Sequence, residues 1–126
     1  MICYILIEKR GDCIKKLINW QLLSNNNEVV NNQKVECEFN NNILKYVEDN
    51  NTVNIIDIDN KTYLRENDEF TFNIDFKNRC FNYILKKDNL SIENAKLEAF
   101  LEQDENIISL KYNLGEEEKK IVIQLL

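Results

Sequence analysis

The residues whose types and spacing come closest to a metal site are Asp57, Asp59 and Asn60. Residues two apart on a β-strand point to the same side, so both carboxylates would face one point, as at the start of a calcium-binding loop. The glycine and the closing glutamate that such a loop requires are missing. A strand that ends in a turn is therefore the favoured interpretation, and we predict no metal site here.

A second candidate for chemistry is Cys80, which follows Arg79, because a neighbouring cation stabilises a reactive thiolate. The 126 residues include no His, so the commonest general base and metal ligand is missing. The sequence also contains no nucleophile elbow, no glycine-rich phosphate loop and no cluster with metal-ligand spacing. We therefore expect a buried, inert Cys80, no catalytic residue, no cofactor and no enzymatic activity.

Three further features could serve in binding. Arg65 could hold an anion at the mouth of a cavity, although a surface or turn-bonded arginine is the favoured account. Trp20 could anchor an interface, but core packing explains it at least as well. The three glutamates at 116–118, followed by Lys119 and Lys120, could attract a basic partner, but a solvated hairpin tip is the simpler interpretation. We assign no binding residue on these grounds.

The four cysteines and the first residues of the chain bear on its compartment. Cys3, Cys13, Cys37 and Cys80 include no Cys-x-x-Cys pair, so we predict free thiols and no zinc. The opening apolar run ends by Ile7, which is too short for a signal peptide or a membrane span. We therefore expect a cytoplasmic protein that does not associate with membranes.

The overall composition favours one acidic globular domain. The net charge is −6, whereas a surface that binds nucleic acid is usually basic, so we expect no nucleic-acid partner. Hydrophobic residues make up 44% of the chain, which is enough to build one core over residues 1–126. Glycine occurs only twice and proline is absent, so asparagine must fill most positions that need a positive φ.

The clearest structural signal is a β-hairpin over residues 70–85. Phe70, Phe72, Ile74 and Phe76 alternate with polar residues, a polar break follows, and apolar residues then alternate again up to Leu85. A period of two on both sides of a short break is typical of two antiparallel strands. The sequence predicts that this hairpin lies at the centre of the fold.

The remaining chain carries turn residues about every ten positions, which predicts a β-meander. The polar, Asn-rich stretch 24–33 should be a loop. Turns at 50–51 and 59–60 would place Tyr46 opposite Ile55 and Ile56 opposite Tyr63, both favourable pairs. Alternating residues at 108–114 and 121–125 predict the closing strands.

Two segments leave the choice between strand and helix open. Residues 12–23 fit either the second strand of a hairpin that turns at Gly11 and Asp12, with Ile5 opposite Ile18 and Leu6 opposite Leu17, or one side of a helix. We favour the hairpin. Residues 91–103 are rich in helix formers, but their alternation also suits a strand.

Parts of the second half resemble a known family of small bacterial proteins. The stretches YLREND at 63–68, FNYILKKDNLSI at 81–92 and ENIISLKYNLGEEEKKIVIQL at 105–125 are similar to the YwiB-like family, a domain of unknown function with a calycin-like β-barrel. Arg65, Phe70 or Phe72, Tyr83 and the ISLKYNL run stand at matching places, and residues 28–48 fit more loosely. The family's glycines are replaced at 67 and 88–89 by Asn and Asp, which also tolerate turns.

The resemblance implies a barrel and makes residues 91–103 a strand, and it implies no activity. With the patterns above, it predicts an all-β, single-domain meander of eight to ten strands closed into a calycin- or lipocalin-like barrel. Bulky inward residues should fill the interior: Phe70, Phe72, Phe76, Phe81, Tyr83, Leu110, Tyr112 and Ile123. We expect an unknown protein partner or a homodimer, which would bind at the outer surface. The alternative is a module for a small apolar ligand, which an open cavity inside the barrel would favour.

Overall fold

In a computed structural model, residues 14–126 are described, and they form one antiparallel sheet of eleven strands. The strands are β1 (Ile14–Ser24), β2 (Glu28–Asn40), β3 (Ile43–Val47), β4 (Val53–Asp57), β5 (Thr62–Glu66), β6 (Phe70–Asp75), β7 (Cys80–Leu85), β8 (Leu90–Lys96), β9 (Ala99–Asp104), β10 (Ile107–Leu114) and β11 (Glu117–Leu125). A short 3-10 helix, Asn25–Asn27, joins β1 to β2. The predicted all-β meander is therefore confirmed.

The order of the strands makes this sheet curl into an open half-barrel. The order is β9-β10-β11-β1-β2-β3-β4-β5-β6-β7-β8, so β8 and β9 lie at opposite edges although only Leu97 and Glu98 separate them. The two edges must meet at this link. There Leu97 donates its N–H to the carbonyl of Arg79 at 3.1 Å, and Asn113 donates its N–H to the carbonyl of Glu98 at 3.0 Å.

The prediction of a closed barrel with eight to ten strands is wrong for the described residues. No ladder joins β8 to β9 within residues 14–126, so the two edges meet at the link and separate beyond it. The strand count is eleven because residues 91–103, predicted as one strand, divide at Leu97 and Glu98 into β8 and β9. Their extended conformation is confirmed, since pairing with β7 and β10 outweighs the local preference for helix.

The core lies on the inner face of the curled sheet, where alternate side chains converge. Sixteen hydrophobic residues there are buried: Ile18, Trp20, Cys37, Leu44, Tyr46, Ile56, Tyr63, Phe72, Ile74, Phe76, Ala99, Ile108, Leu110, Tyr112, Ile121 and Ile123. Five of the eight predicted inward residues belong to this set, and Phe70, Phe81 and Tyr83 pack against it while partly exposed. The side chains of the described residues thus fill the interior, as the aromatic-rich strands predict.

The predicted hairpin over residues 70–85 is confirmed, but its predicted place at the centre of the fold is wrong, because β7 and β6 are the second and third strands from one edge of the sheet, counting β8 as the first. β6 and β7 pair so that Phe72 faces Tyr83 and Ile74 faces Phe81, and a turn over residues 76–79 joins them. Arg79 closes this turn at a φ of 54°. Asn provides six of the nine non-glycine residues with positive φ among the described residues: Asn27, Asn41, Asn42, Asn51, Asn89 and Asn94. These positions confirm that asparagine takes the place of glycine.

One predicted cross-strand pair is confirmed and another is wrong. Ile56 faces Tyr63 as expected, but Tyr46 faces Asn54 rather than Ile55. The reason is a three-residue loop in which Glu48 pairs with Thr52 through an N–H···O bond of 2.8 Å, with Asn51 at a φ of 64°. Such loops place a left-handed residue before the second strand, which shifts the register by one relative to a two-residue turn.

The N-terminal predictions have mixed outcomes. Strand rather than helix is confirmed from residue 14 onwards by β1, while the hairpin turn at Gly11 and its first strand lie outside the described residues. Ile18 is paired on both sides, with Val35 and with Leu125. The loop predicted for 24–33 is wrong beyond Asn27, because β2 begins at Glu28 and the β1 ladder satisfies its backbone despite its polar sequence.

Candidate functional site: a buried polar network beside an apolar cleft

A polar network lies inside the half-barrel on β4, β5 and the loop after β3. The carboxylate of Glu48, 7% exposed, accepts hydrogen bonds from Nδ2 of Asn54 at 2.7 Å and from Nε and Nη2 of Arg65 at 2.9 and 3.0 Å. The hydroxyl of Tyr63 donates to Oδ1 of Asn54 at 2.6 Å. Four side chains from three segments thus form one connected network in which the buried charge is paired.

The surroundings of the network keep Arg65 charged and the buried tyrosine hydroxyls in and near it neutral. Burial alone would lower the pKa of Arg65, but the hydrogen bonds to Glu48 outweigh this and leave that pKa above its ordinary value. Burial raises the pKa of Tyr63 and of Tyr46 well above the ordinary value, and it raises the pKa of Tyr112 to about 12. Arg65 therefore stays charged, and the hydroxyl of Tyr63 stays protonated near neutral pH.

Two buried donors next to this network have no partner among the described residues. They are Nε1 of Trp20 and the hydroxyl of Tyr46, whose rings lie 6.0 Å apart between centroids. Each side chain is 2% exposed. A buried polar group without a partner costs free energy. These two donors therefore destabilise the interior, whereas the hydroxyl of Tyr63, which is bonded to Asn54, does not.

An apolar cleft of about 620 Å³ opens where the edge of β8 separates from the end of β10. Its lining consists of Phe72, Phe81, Tyr83, Ile92, Ala95, Lys96, Asn113, Leu114 and Gly115. Three other surface hollows, of about 170, 250 and 340 Å³, are smaller. We call this space the edge cleft, and it is the largest of these hollows.

One row of directly paired residues links the polar network to the edge cleft. Across five consecutive ladders the row runs Tyr46, Asn54, Arg65, Phe72, Tyr83 and Ile92. Phe72 contacts the rings of Tyr63 and Tyr112 at 6.5 and 5.7 Å between centroids. Since neighbouring strands lie about 4.8 Å apart, Arg65 and Ile92 are separated by roughly 14 Å across the sheet. The row therefore changes from polar to apolar as it approaches the open edge.

Arg65 stands at the boundary between the two environments. Its guanidinium lies 5.5 Å from the ring centroid of Phe70, and that ring stacks on Tyr83 at 5.9 Å with planes 3° apart. A cation over an aromatic face is attracted by the ring quadrupole. The earlier expectation of a surface or turn-bonded arginine is wrong, because Arg65 forms a partly buried pair with Glu48.

The residues first suspected of metal binding form a turn. Asn60 donates its N–H to Oδ1 of Asp57 at 3.1 Å and its Nδ2 to Oδ2 at 2.8 Å. These two bonds lower the pKa of Asp57. Among the described residues, no group of three or more His, Cys, Asp or Glu side chains is arranged to hold a metal ion.

The other candidates are dispersed over the sheet. Cys80 is half-buried at the start of β7, Cys37 is buried on β2, and both are free thiols. Burial raises the pKa of the Cys37 thiol. Trp20 belongs to the core, and the glutamates at 116–118 lie at the β10–β11 turn, where Glu117 pairs with Lys119. The structure brings none of these candidates together with Arg65.

Glu48, Asn54 and Tyr63 were not singled out from the sequence. A signal was present, because Glu48 comes two residues after the inward Tyr46, directly after β3, and Arg65 comes two residues after the inward Tyr63 on β5. A polar residue at an inward position of a strand is costly unless it is bonded, so it marks a network or a site. Finding its partners requires the order of three strands, which alternation alone does not provide.

The comparisons with protein-family models, curated proteins and solved structures found no match to this chain. Among the described residues, no helix has the length and apolar character needed to cross a bilayer.

Proposed function

We propose that this protein is a non-enzymatic interaction module and that the edge cleft binds apolar side chains of a partner protein. The observation that carries the proposal is the cleft itself: about 620 Å³ of mainly apolar space beside an edge of the sheet. Exposed apolar surface with a defined shape is typical of interaction sites. Leu90 on β8, 62% exposed and two residues before the lining residue Ile92, extends this apolar surface beyond the cleft.

A protein partner is preferred because the cleft is open along one side, while the interior of the half-barrel is filled. Ligand sites usually enclose most of a small molecule, whereas an open groove suits side chains that project from a larger surface. Phe72 is the buried member of the lining, and its ring contacts that of Tyr112 in the core at 5.7 Å between centroids. The space is therefore accessible from solvent and bounded by rigid aromatic rings.

A small apolar ligand is the second candidate, and the volume of the cleft favours it. Ligand sites commonly measure about 300–1,000 Å³, and a few polar groups fix the orientation of the ligand. Lys96 and Asn113 are the polar side chains in the lining. A ligand of this kind would place its apolar body against Phe81 and Tyr83.

A pair of matched substitutions tests the proposal. Ile92→Asp places a carboxylate in the cleft, whereas Ile84→Asp places one on the adjacent strand outside the lining, at a residue that is also exposed. We expect Ile92→Asp to abolish partner capture from extracts of the protein's own source and Ile84→Asp to retain it. Equal capture by both variants would refute the proposal. Native mass spectrometry that shows a co-purifying small molecule, lost in Ile92→Asp, would establish the second candidate.

We further propose that the half-barrel is related to the calycin-like barrels of the YwiB-like family and that the chain is a bacterial cytoplasmic protein. The residues that carry the resemblance support this relation, because Arg65 belongs to the network, Phe72 and Tyr83 line the cleft, and Tyr112 contacts Phe72. An experimental structure of the full chain tests the relation. A barrel that does not share the calycin strand order would refute it.

A further inference from the structure

The edge of β8 presents main-chain groups that no strand covers within residues 14–126. In an antiparallel ladder, successive residues direct their N–H and C=O groups alternately to the two sides. Lys86 donates its N–H to the carbonyl of Glu69, the residue before β6, at 2.9 Å. Two residues back along β7, Ile84 therefore also directs its backbone to β6 and does not bond Ser91, which it faces. The N–H and C=O of Ser91 therefore point away from β7, toward the open side.

The same side of this strand is already occupied a few residues further along. Glu98 accepts the N–H of Asn113 at 3.0 Å, and β9 then pairs with β10. Ala99 faces Tyr112 in this ladder. If the same register continued three residues back along the chain, Lys96 would face Gly115, but β10 ends at Leu114 and the chain turns there. Beyond this point the edge is open, and the edge cleft lies beside it.

We propose that an extended segment of a partner protein fills this gap by adding to β8 as a new strand. The inference depends on the proposed function, since it names the form in which the partner enters the cleft. Strand addition supplies affinity through main-chain hydrogen bonds and specificity through alternate side chains that enter pockets. Here Ser91 offers the main-chain groups, and Phe81 and Tyr83 offer the apolar walls.

The surroundings define the chemistry of the segment. Its inward side chains are apolar, because they meet aromatic rings and Leu114. Its outward or flanking side chains are basic where they meet the exposed Glu93 and Glu116, which follow Ile92 and Gly115 and form no ion pair within residues 14–126. They are uncharged beside Lys96, the charged residue in the lining. The edge is seven residues long, and a bulge at Asn94, with a φ of 52°, interrupts it. The paired segment therefore spans about five residues.

The test uses the full chain and two proline variants matched by backbone geometry. Ser91→Pro removes an N–H that points to the open side of β8. Gln103→Pro removes the equivalent N–H on the free edge of β9, because Gln103 faces Ile108 in a pair without mutual hydrogen bonds. Proline is tolerated at such edge positions, so both variants should fold. Circular dichroism and urea unfolding confirm this before binding is measured.

Random seven-residue peptides displayed on phage are first selected against the full wild-type chain. We expect enrichment of sequences with apolar residues at alternate positions and Lys or Arg between or beside them. The binding of a selected peptide should fall about tenfold in Ser91→Pro, as for one lost hydrogen bond, and stay within about twofold in Gln103→Pro. Hydrogen exchange at the Ser91 amide should slow when the peptide binds.

Several results would overturn the inference, and they separate it from the proposed function. Loss of capture in Ile92→Asp without any effect of Ser91→Pro would retain the cleft as a partner site but refute strand addition. Retention of partner capture in both variants would refute strand addition and would also refute the cleft as a partner site. A photo-crosslinker at residue 92 that reacts with the same chain, or with a second copy, would assign the gap to that occupant and refute the partner segment.

Discussion

Glu48 and Arg65 lie seventeen residues apart in sequence and form a two-point ion pair across β4, with N···O distances of 2.9 and 3.0 Å. The side chain of Glu48 is 7% exposed and that of Arg65 32%. The pair satisfies a carboxylate that the fold places in its interior. It also fixes β5 relative to the loop that follows β3, so the register of three neighbouring strands is coupled to one interaction.

Arg65→Leu should strongly destabilise the fold, because it leaves the Glu48 carboxylate buried without a cation. We expect a loss of about 3 kcal/mol in the free energy of unfolding, measured by urea titration. The matched control is Lys86→Leu, which breaks an ion pair with Glu66 whose members are 41% and 43% exposed. That loss should stay below about 1 kcal/mol. Similar losses in both variants would show that the Glu48–Arg65 pair does not stabilise the interior.

Two buried tyrosines should respond oppositely to the loss of their hydroxyls. Tyr63→Phe leaves Oδ1 of Asn54 unpaired, so we expect a loss of about 1–2 kcal/mol. Tyr46→Phe removes a buried hydroxyl that has no partner among the described residues, so stability should remain the same or increase slightly. Urea unfolding of the two variants provides the comparison. A larger loss for Tyr46→Phe would mean that its hydroxyl is bonded in solution.

The fold should lose stability at alkaline pH because of the buried phenols. Burial raises the pKa of Tyr112 from its ordinary value of 10.0 to about 12. Below pH 10 the phenol is protonated in both states, and its contribution to stability is fully present. Above pH 10 the unfolded chain loses the proton first, so the free energy of unfolding falls until the folded pKa is reached. Urea unfolding from pH 9 to pH 12 measures this slope, and Tyr112→Phe should reduce it.

Local patterns in the sequence predicted the parts of the fold that local interactions determine. The β6–β7 hairpin and the pair of Ile56 with Tyr63 follow from alternation and from turn residues. The predicted pairing of Tyr46 with Ile55 is wrong because the loop between Glu48 and Thr52 has three residues instead of two, and Asn51 adopts a positive φ in it. Asparagines that fit several turn types leave such a register undetermined.

The open half-barrel and the polar network depend on contacts between distant parts of the chain. Alternation showed that residues 91–103 could be extended, but it could not show that Leu97 and Glu98 carry the chain from one edge of the sheet to the other. Likewise, an inward Glu48 was visible in the pattern, while its partner Arg65 lies two strands away. The edge cleft results from the first of these features, so the sequence alone could not have located it.

Phe72 should be the most sensitive apolar position of the β6–β7 hairpin. It is 5% exposed and contacts four aromatic rings, those of Tyr63, Phe81, Tyr83 and Tyr112, at 5.7–6.5 Å between centroids. Phe72→Asp buries a carboxylate whose ladder neighbour Arg65 is already bonded to Glu48, and we expect a loss of about 3–5 kcal/mol or failure to fold. Phe72→Leu keeps the site apolar, and its loss of about 1–2 kcal/mol remains measurable if the first variant does not fold.

The control for Phe72→Asp must place the same charge on the outer face of the hairpin. Thr71 is unsuitable, because its hydroxyl donates to Glu66 at 2.6 Å and an aspartate there would face a second carboxylate. Ile84 lies opposite Thr71 in the ladder and is 42% exposed, so Ile84→Asp should cost less than about 1 kcal/mol. Urea midpoints of the three variants decide the assignment of faces. Equal losses for Phe72→Asp and Ile84→Asp would mean that β6 and β7 do not present these residues to opposite sides of the sheet.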